Sequence, residues 1–220
     1  MIPSPTRRPL HALAGLALAV VVGACTAGGG ATPGDTSGPP ASVVAPASGA
    51  ASGECPSAPP EPLPAGETRT VTIETAAGVI EIKVEADLGP LAAGNFVALA
   101  ECGFFDGVVF HRIIPEFVIQ GGDPTGTGSG GPGYEFPNDP VSVEYERGIV
   151  AMANAGRDTN GSQFFIVLGP TGLTPDYSVF GRVTSGMEVA DEIASGPSTG
   201  GDQSQALEPV AMDRVTVANP

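Results

Sequence analysis

Apolar and polar residues alternate in two neighbouring runs that begin near Arg69. The first run carries Val71 and Ile73 at every second position, and the second resumes at Ile80 after a break at Gly78. Alternation with a period of two gives an extended chain one apolar face, so each run predicts a β-strand. The short Ala-Gly segment between the runs predicts that the two strands form a hairpin.

Two later segments have their apolar residues at helical spacing instead. The first follows Pro90, a residue that suits the first turn of a helix, and its pattern stops at Gly103. The second covers residues 187–194. We therefore expect two helices.

Six further apolar segments are separated by turn residues and predict additional short strands. They cover residues 108–114, 117–120, 148–153, 163–167, 178–183 and 210–217. Many short strands with few helices are typical of an all-β barrel or sandwich. A chain of 220 residues has room for one such domain with accessory segments.

The first 25 residues have the pattern of an export signal. Arg7 and Arg8 precede an apolar run over residues 10–22 that is too short to span a bilayer comfortably. The run leads into a Val-Gly-Ala sequence before Cys25, which resembles the lipobox of bacterial lipoproteins. We expect cleavage before Cys25 and attachment of diacylglycerol and palmitate, which would anchor the protein to the extracytoplasmic face of the cell membrane. An ordinary secretory signal with an incidental cysteine is the alternative.

Residues 26–66 are dominated by Gly, Ala, Pro, Ser and Thr. A segment with so few large apolar residues buries too little surface to offset its conformational entropy, so it predicts a disordered tether. The folded domain is then expected over residues 67–220.

The charge of the chain argues against nucleic acid as a partner. The formal net charge is −15, and once residues 1–24 are removed seven Lys and Arg face 24 Asp and Glu, which gives −17. Such an acidic protein repels phosphate backbones.

The three cysteines lack the short paired spacing of zinc sites, so no metal is expected. Cys55 and Cys102 are left as a possible disulfide in an oxidising compartment, and a buried free thiol at Cys102 is the alternative.

Most familiar catalytic patterns are absent from the sequence. Ser162 has no histidine partner that the sequence identifies, and His111, which lies among apolar residues, is interpreted as a core residue. The Gly-rich run at residues 126–131 lacks the lysine and the following helix of a phosphate-binding loop, so it is interpreted as a flexible surface loop. No cofactor is implied.

Arg112 stands out as a solitary cation among apolar residues. Alternation along Phe110, Arg112 and Ile114 predicts that the arginine lies on one face of a strand, where a guanidinium needs a partner or a function. A structural ion pair and a functional site both fit this pattern.

Arg112 belongs to the longest of four sequence motifs. The motifs are Phe-His-Arg-Ile-Ile-Pro-Glu-Phe-Val-Ile-Gln-Gly-Gly-Asp at 110–123, Ala-Met-Ala-Asn-Ala-Gly at 151–156, Thr-Asn-Gly-Ser-Gln-Phe-Phe-Ile at 159–166 and Ser-Val-Phe-Gly-Arg-Val at 178–183. In this order and spacing they resemble the signatures of the cyclophilins, which are peptidyl-prolyl cis-trans isomerases. The resemblance covers about residues 69–218.

The resemblance implies a closed eight-stranded antiparallel barrel capped by two helices, and Arg112 as the catalytic residue. It also implies a substrate groove formed by Phe117, Gln120, Ala153, Asn154, Gln163, Phe165 and Leu173, with Val118 and Met152 at neighbouring positions. Tyr177 stands where many members have a histidine. Gly172 falls near the position of the groove tryptophan of common eukaryotic members, and the chain has no Trp, so cyclosporin binding is not implied.

The expected activity is isomerisation of X-Pro bonds in unfolded or exported polypeptides by a tethered monomer. Arg112 would stabilise the twisted amide while an apolar pocket holds the proline ring. The alternative is a module that binds or scaffolds proline-containing peptides with weak turnover.

Overall fold

The computed structural model describes residues 53–218, which form eight strands and two helices. The strands are β1 (Thr68–Thr75), β2 (Gly78–Glu85), β3 (Arg112–Ile114), β4 (Val118–Gly121), β5 (Ile149–Met152), β6 (Phe164–Val167), β7 (Val179–Ser185) and β8 (Met212–Ala218). The helices are α1 (Pro90–Glu101) and α2 (Met187–Ala194). Both predicted helices and the predicted β1–β2 hairpin are confirmed, and the hairpin pairs Thr75 with Gly78.

The eight strands form one sheet in which every pair of neighbours runs antiparallel. Their order is β3-β4-β6-β5-β7-β2-β1-β8. The edge strands β3 and β8 share no strand ladder, and a single isolated bridge between Val109 and Ala211 connects the chain just before them. The mainly β fold of eight antiparallel strands with two helices is confirmed. The sheet is strongly curled but open between its edges, so the expected closed barrel is not confirmed.

The segment predicted as one strand over residues 108–114 is interrupted, and β3 keeps only its last three residues. Phe110 and Ile113 are both buried in the interior cluster, whereas Arg112 is only partly buried. The expected alternation through Phe110, Arg112 and Ile114 is therefore wrong at Phe110. Phe110 lies outside β3, and its amide donates a 2.9 Å hydrogen bond to the Val210 carbonyl, in the chain that leads into β8.

Apolar residues pack on both faces of the sheet. The interior cluster includes Phe96 of α1, whose ring lies 5.0 Å from Phe164 and 4.8 Å from Phe180, centroid to centroid. A second cluster lies on the outer face and includes Val118 and Phe165. Burial on both faces explains why β5 and β6 are continuous apolar runs, with all four residues of each strand buried.

The chain before β1 packs on the domain, contrary to the tether predicted through residue 66. We call residues 53–66 the strap. A disulfide joins Cys55 to Cys102, the Leu63 amide donates a 3.0 Å hydrogen bond to the Pro90 carbonyl, and the Leu63 side chain is 7% exposed. At Gly94 of α1 a side chain would clash with the strap backbone at Glu61. The ordered domain therefore includes residues 55–66 and does not begin at residue 67.

The predicted signal segment, Cys25 and the tether over residues 26–52 lie outside the described residues. Within residues 53–218, neither helix has the length and the apolar character needed to cross a membrane.

Candidate active site

A groove of about 1070 Å³ lies on the outer face of the sheet. Its walls come from β3, β4 and β6, from the loops that follow β4, β5 and β6, and from the loop between α2 and β8, which contributes Gln203 and Gln205. The structure brings ten of the predicted site residues to this groove. These are Arg112, Phe117, Val118, Gln120, Ala153, Asn154, Gln163, Phe165, Leu173 and Tyr177.

Met152 is the predicted site residue that the structure places elsewhere. Its side chain is fully buried in the interior cluster, together with that of Val150. Successive residues of a strand point to opposite faces, so Ile149 and Ala151 take the groove side of β5 instead. The assignment of Met152 to the substrate pocket is therefore wrong.

Arg112 is held on both edges of its guanidinium. Nη1 donates a 2.9 Å hydrogen bond to Oε1 of Gln120, while Nε and Nη2 donate to the backbone carbonyl of Asp202 at 3.2 and 2.7 Å. The guanidinium carbon lies 5.9 Å from the centre of the Phe117 ring. Burial lowers the pKa of Arg112, and Tyr177 and Asp202 raise it, but the group stays protonated at neutral pH.

No carboxylate forms a salt bridge with Arg112 among residues 53–218. The structural ion pair that the sequence left open is therefore not observed there. A partly buried cation without a carboxylate keeps donor capacity for a ligand in the groove.

Hydrogen bonds continue from Arg112 into the Gly-rich loop. Gln120 Nε2 donates to Gln163 Oε1 at 2.9 Å, and Gln163 Nε2 donates to the carbonyls of Gly128 and Gly130 at 3.0 and 2.9 Å. The loop interpreted from sequence as a surface feature thus forms one wall of the groove.

Asp123 fixes the conformation of this loop through hydrogen bonds to the loop backbone. Its fully buried carboxylate accepts hydrogen bonds from the amides of Thr125, Thr127 and Gly128 at 2.7, 3.0 and 2.6 Å. Burial alone would raise the pKa of Asp123, but hydrogen bonds from the Gly130, Thr125 and Gly128 amides and the Thr125 hydroxyl lower it well below its usual range. An Asp directly before a Thr-rich and Gly-rich stretch is the signal by which the sequence could have indicated this loop.

The apolar side of the groove is built around Phe165. Its ring meets the Tyr177 ring edge to face, with centroids 5.6 Å apart. Tyr145 lies behind them, and its hydroxyl donates to the Tyr177 carbonyl at 2.8 Å and accepts from the Tyr177 amide at 3.0 Å. These two bonds fix the backbone of Tyr177.

Asn154 lies at the far end of the groove. Its side-chain nitrogen donates a 2.9 Å hydrogen bond to the Asp176 carbonyl, and its oxygen accepts from the Gly156 amide at 3.2 Å. Gly172, in the loop that follows β6, has φ of +62°, and no neighbouring atom lies within 4 Å of the position that a Cβ would take there.

His111 is both a core residue, as expected, and part of the groove wall. It is 5% exposed, and neither ring nitrogen has a hydrogen-bond partner of acceptable geometry in the described part of the chain. Burial lowers the pKa of His111, as does Arg112, whereas Asp123 and the nearby Val109 carbonyl raise it. The ring is therefore neutral at neutral pH.

The arrangement favours electrostatic chemistry over nucleophilic attack by Ser162. Ser162, the serine considered from the sequence, donates its hydroxyl proton to the Gly122 carbonyl at 2.6 Å and is fully buried. What the groove offers is a fixed guanidinium beside an apolar pocket.

Comparison with known proteins agrees with these features. The family model described as "Cyclophilin type peptidyl-prolyl cis-trans isomerase/CLD" matches residues 70–217. The chain is 39% identical over 172 residues to the probable peptidyl-prolyl cis-trans isomerase A of Mycobacterium leprae, covering 69% of this chain and 93% of that protein. It is 48% identical over 122 residues to peptidyl-prolyl cis-trans isomerase B of Bacillus subtilis, covering 53% and 84%.

Solved structures show the same fold. A cyclophilin-type peptidyl-prolyl cis-trans isomerase of Cryptosporidium parvum superposes with a TM-score of 0.64 at 33% identity, covering 70% of this chain and 99% of that one. Its structure in the presence of the dipeptide Ala-Pro gives a TM-score of 0.63 at 33% identity, covering 69% and 99%. The expectation drawn from the sequence motifs is thus confirmed, and the chain belongs to the cyclophilin-type family and is a peptidyl-prolyl cis-trans isomerase.

Proposed function

We propose that Arg112 accelerates X-Pro isomerisation by stabilising the twisted amide. Rotation about the peptide bond breaks amide resonance, against a barrier of about 18–20 kcal/mol. In the twisted state the proline nitrogen becomes pyramidal and regains a lone pair that a donor can hydrogen-bond. The observation that carries the proposal is the guanidinium held beside an apolar pocket with no carboxylate to neutralise it among the described residues.

The neighbouring side chains divide into two roles. The proline ring would pack against apolar groups and the adjoining backbone would meet amides. The apolar groups are Phe117, Val118, Phe165 and Leu173, and the polar ones are Asn154 and Gln163. Gln120 orients Arg112 through its 2.9 Å hydrogen bond. Only contacts that are stronger in the twisted amide than in either planar isomer raise the rate, which is why the charged donor is assigned the catalytic role.

The substrate class follows from this groove. We propose that it takes proline-containing segments of unfolded polypeptides, and one structural neighbour was determined in the presence of Ala-Pro.

The export pattern and lipobox-like sequence before Cys25 support exported proteins as the clients, with the enzyme anchored by lipid at the extracytoplasmic face of a bacterial cell membrane. Incorporation of a labelled fatty acid, lost in Cys25→Ala, tests the anchor. Equal labelling of both proteins would overturn it.

The catalytic role is tested with full-length wild-type protein, Arg112→Ala, Arg112→Lys and the control Arg157→Ala. The Arg157 side chain is 87% exposed and does not line the groove. Exchange NMR on an Ala-Pro peptide measures the rate of isomerisation on the enzyme separately from peptide affinity. We expect Arg112→Ala to lose about 10²–10³-fold in rate, as for other removed electrostatic donors, with a much smaller loss of affinity.

The variant Arg112→Lys separates the effect of the positive charge from that of the planar guanidinium. Arg112→Lys keeps the charge but lacks the planar fork that reaches Gln120 and the Asp202 carbonyl together, so it should also be slow. Equal losses of rate and affinity in Arg112→Ala would overturn the catalytic role and favour the alternative, a module that binds proline-containing peptides.

A further inference from the structure

The Asp202 carbonyl accepts two of the five N–H bonds of the Arg112 guanidinium, at 3.2 Å from Nε and 2.7 Å from Nη2. A third N–H bond goes to Gln120. Two N–H bonds, one on each terminal nitrogen, are left without a partner among residues 53–218. The Asp202 carbonyl therefore determines which edge of the guanidinium is hydrogen-bonded within the protein and which edge faces the groove.

The carbonyl belongs to a short loop, residues 199–205, that is closed on itself. The Thr199 amide donates to the Gln205 carbonyl and the Gln205 amide to the Thr199 hydroxyl, both at 2.9 Å. Across the loop the Ser204 amide donates to the Gly201 carbonyl at 3.1 Å, and the Ser204 hydroxyl accepts from the Gly200 amide at 3.2 Å. Ser204 is 2% exposed, so these bonds are shielded from water.

The same loop is attached to β3 directly beside Arg112. The Ile113 amide donates to the Ser204 carbonyl at 3.2 Å, and Arg112 forms an isolated bridge with Gln205. The loop and the arginine are therefore parts of one hydrogen-bonded unit, although 90 residues separate Arg112 from Asp202.

Two glycines allow the backbone conformation of this loop. Gly200 and Gly201 have φ of +73° and +78°, which non-Gly residues rarely adopt, and no atom lies within 4 Å of a Cβ built at either. A side chain at these positions would meet no steric obstacle. Such a substitution would act through the backbone. The backbone would leave the left-handed region, and this change would reorient the Asp202 carbonyl.

We propose that loop 199–205 is the positioning element of Arg112, with Gly201 as its determining residue. The Asp202 carbonyl holds the guanidinium so that its two remaining N–H bonds point to the position of the twisted proline nitrogen. The proposal rests on the catalytic role of Arg112 given above and adds a backbone contact to it.

The test compares three full-length variants with wild type. Gly201→Ala forces the backbone strain, Gly201→Asn tolerates positive φ, and Gly107→Ala is the matched control. Gly107 has φ of +79°, no atom within 4 Å of a built Cβ, and no place in the groove wall. Exchange NMR gives the rate on the enzyme and the peptide affinity, and urea unfolding gives the stability of each variant.

We expect Gly201→Ala to lose at least about tenfold in rate, since displacement of a catalytic group by about 1 Å can cost up to 10²-fold. Its affinity should change less than about twofold, and its stability should fall as in Gly107→Ala. Gly201→Asn should recover most of the rate. Wild-type rate in Gly201→Ala, or no recovery in Gly201→Asn, would overturn the proposal.

A second comparison separates this proposal from the role of Arg112. In an Arg112→Ala background, Gly201→Ala should have no further effect on rate, because a residue acting through Arg112 has nothing left to position. Additive losses would overturn the positioning role while leaving the catalytic role standing. A normal rate in Arg112→Ala alone would instead overturn the catalytic role.

Discussion

The disulfide between Cys55 and Cys102 should contribute a large share of the stability of the domain. It joins residues 47 apart in the chain, and closing a loop of this length removes enough unfolded-state entropy to stabilise by about 4 kcal/mol at 25 °C. The free energy of unfolding of a whole domain is only about 5–15 kcal/mol, so loss of the disulfide should lower it by an easily measured amount. We expect the double variant Cys55→Ser/Cys102→Ser to unfold at a much lower urea concentration, with folded protein still active because neither residue lines the groove.

Wild-type protein under reducing conditions serves as the control for this experiment. It keeps both cysteine side chains but lacks the bond, so its free energy of unfolding should match that of the double variant. A fall of less than about 1 kcal/mol in both samples would refute the entropic argument. A fall in the double variant alone would show that side-chain packing, and not the covalent link, carries the effect.

Two further predictions concern the buried residues His111 and Gly122. Because burial lowers the pKa of His111, the unfolded chain binds more protons than the folded one as the pH falls through about 6.5, and stability should fall with it. Wild-type protein should therefore lose more stability between pH 7.5 and 5.5 than His111→Gln does, and parallel urea-unfolding profiles would contradict this. Gly122 has φ of +86° and a Cβ there would clash with the Ser162 carbonyl, so Gly122→Ala should cost more than about 2 kcal/mol. Gly66→Ala, at φ of +79° in open space, is its control, and equal losses in the two variants would show that the clash is relieved.

Alternation identified the strands where one face is buried and the other is not. Val71 and Ile73 in β1 are fully buried, whereas Thr72 between them and Glu74 after them are not, so the sequence shows the period directly. In β5 both faces are buried and no period is visible. The apolar pattern therefore could not correct the placement of Met152 beside the groove, which the family resemblance implied, although its side chain points to the interior.

The groove side chains were predictable because family motifs specify side chains. The contacts that position Arg112 include a backbone carbonyl, and a carbonyl leaves no trace in the identity of its residue. The Asp202 contact also joins segments 90 residues apart and depends on glycine conformations in a loop with no apolar pattern. Only the folded chain brings these groups together.

The strap shows why composition alone misplaced the start of the domain. A segment of Pro, Ser, Gly and Glu cannot form a core of its own, and this argument is valid for an isolated segment. It does not hold where another surface supplies the core, as α1 does for Leu63. One buried leucine would be a weak anchor, but the Cys55–Cys102 bond removes much of the entropy that detachment would gain. The lone apolar residue and the cysteine act together, so neither composition nor cysteine spacing considered separately could locate the boundary.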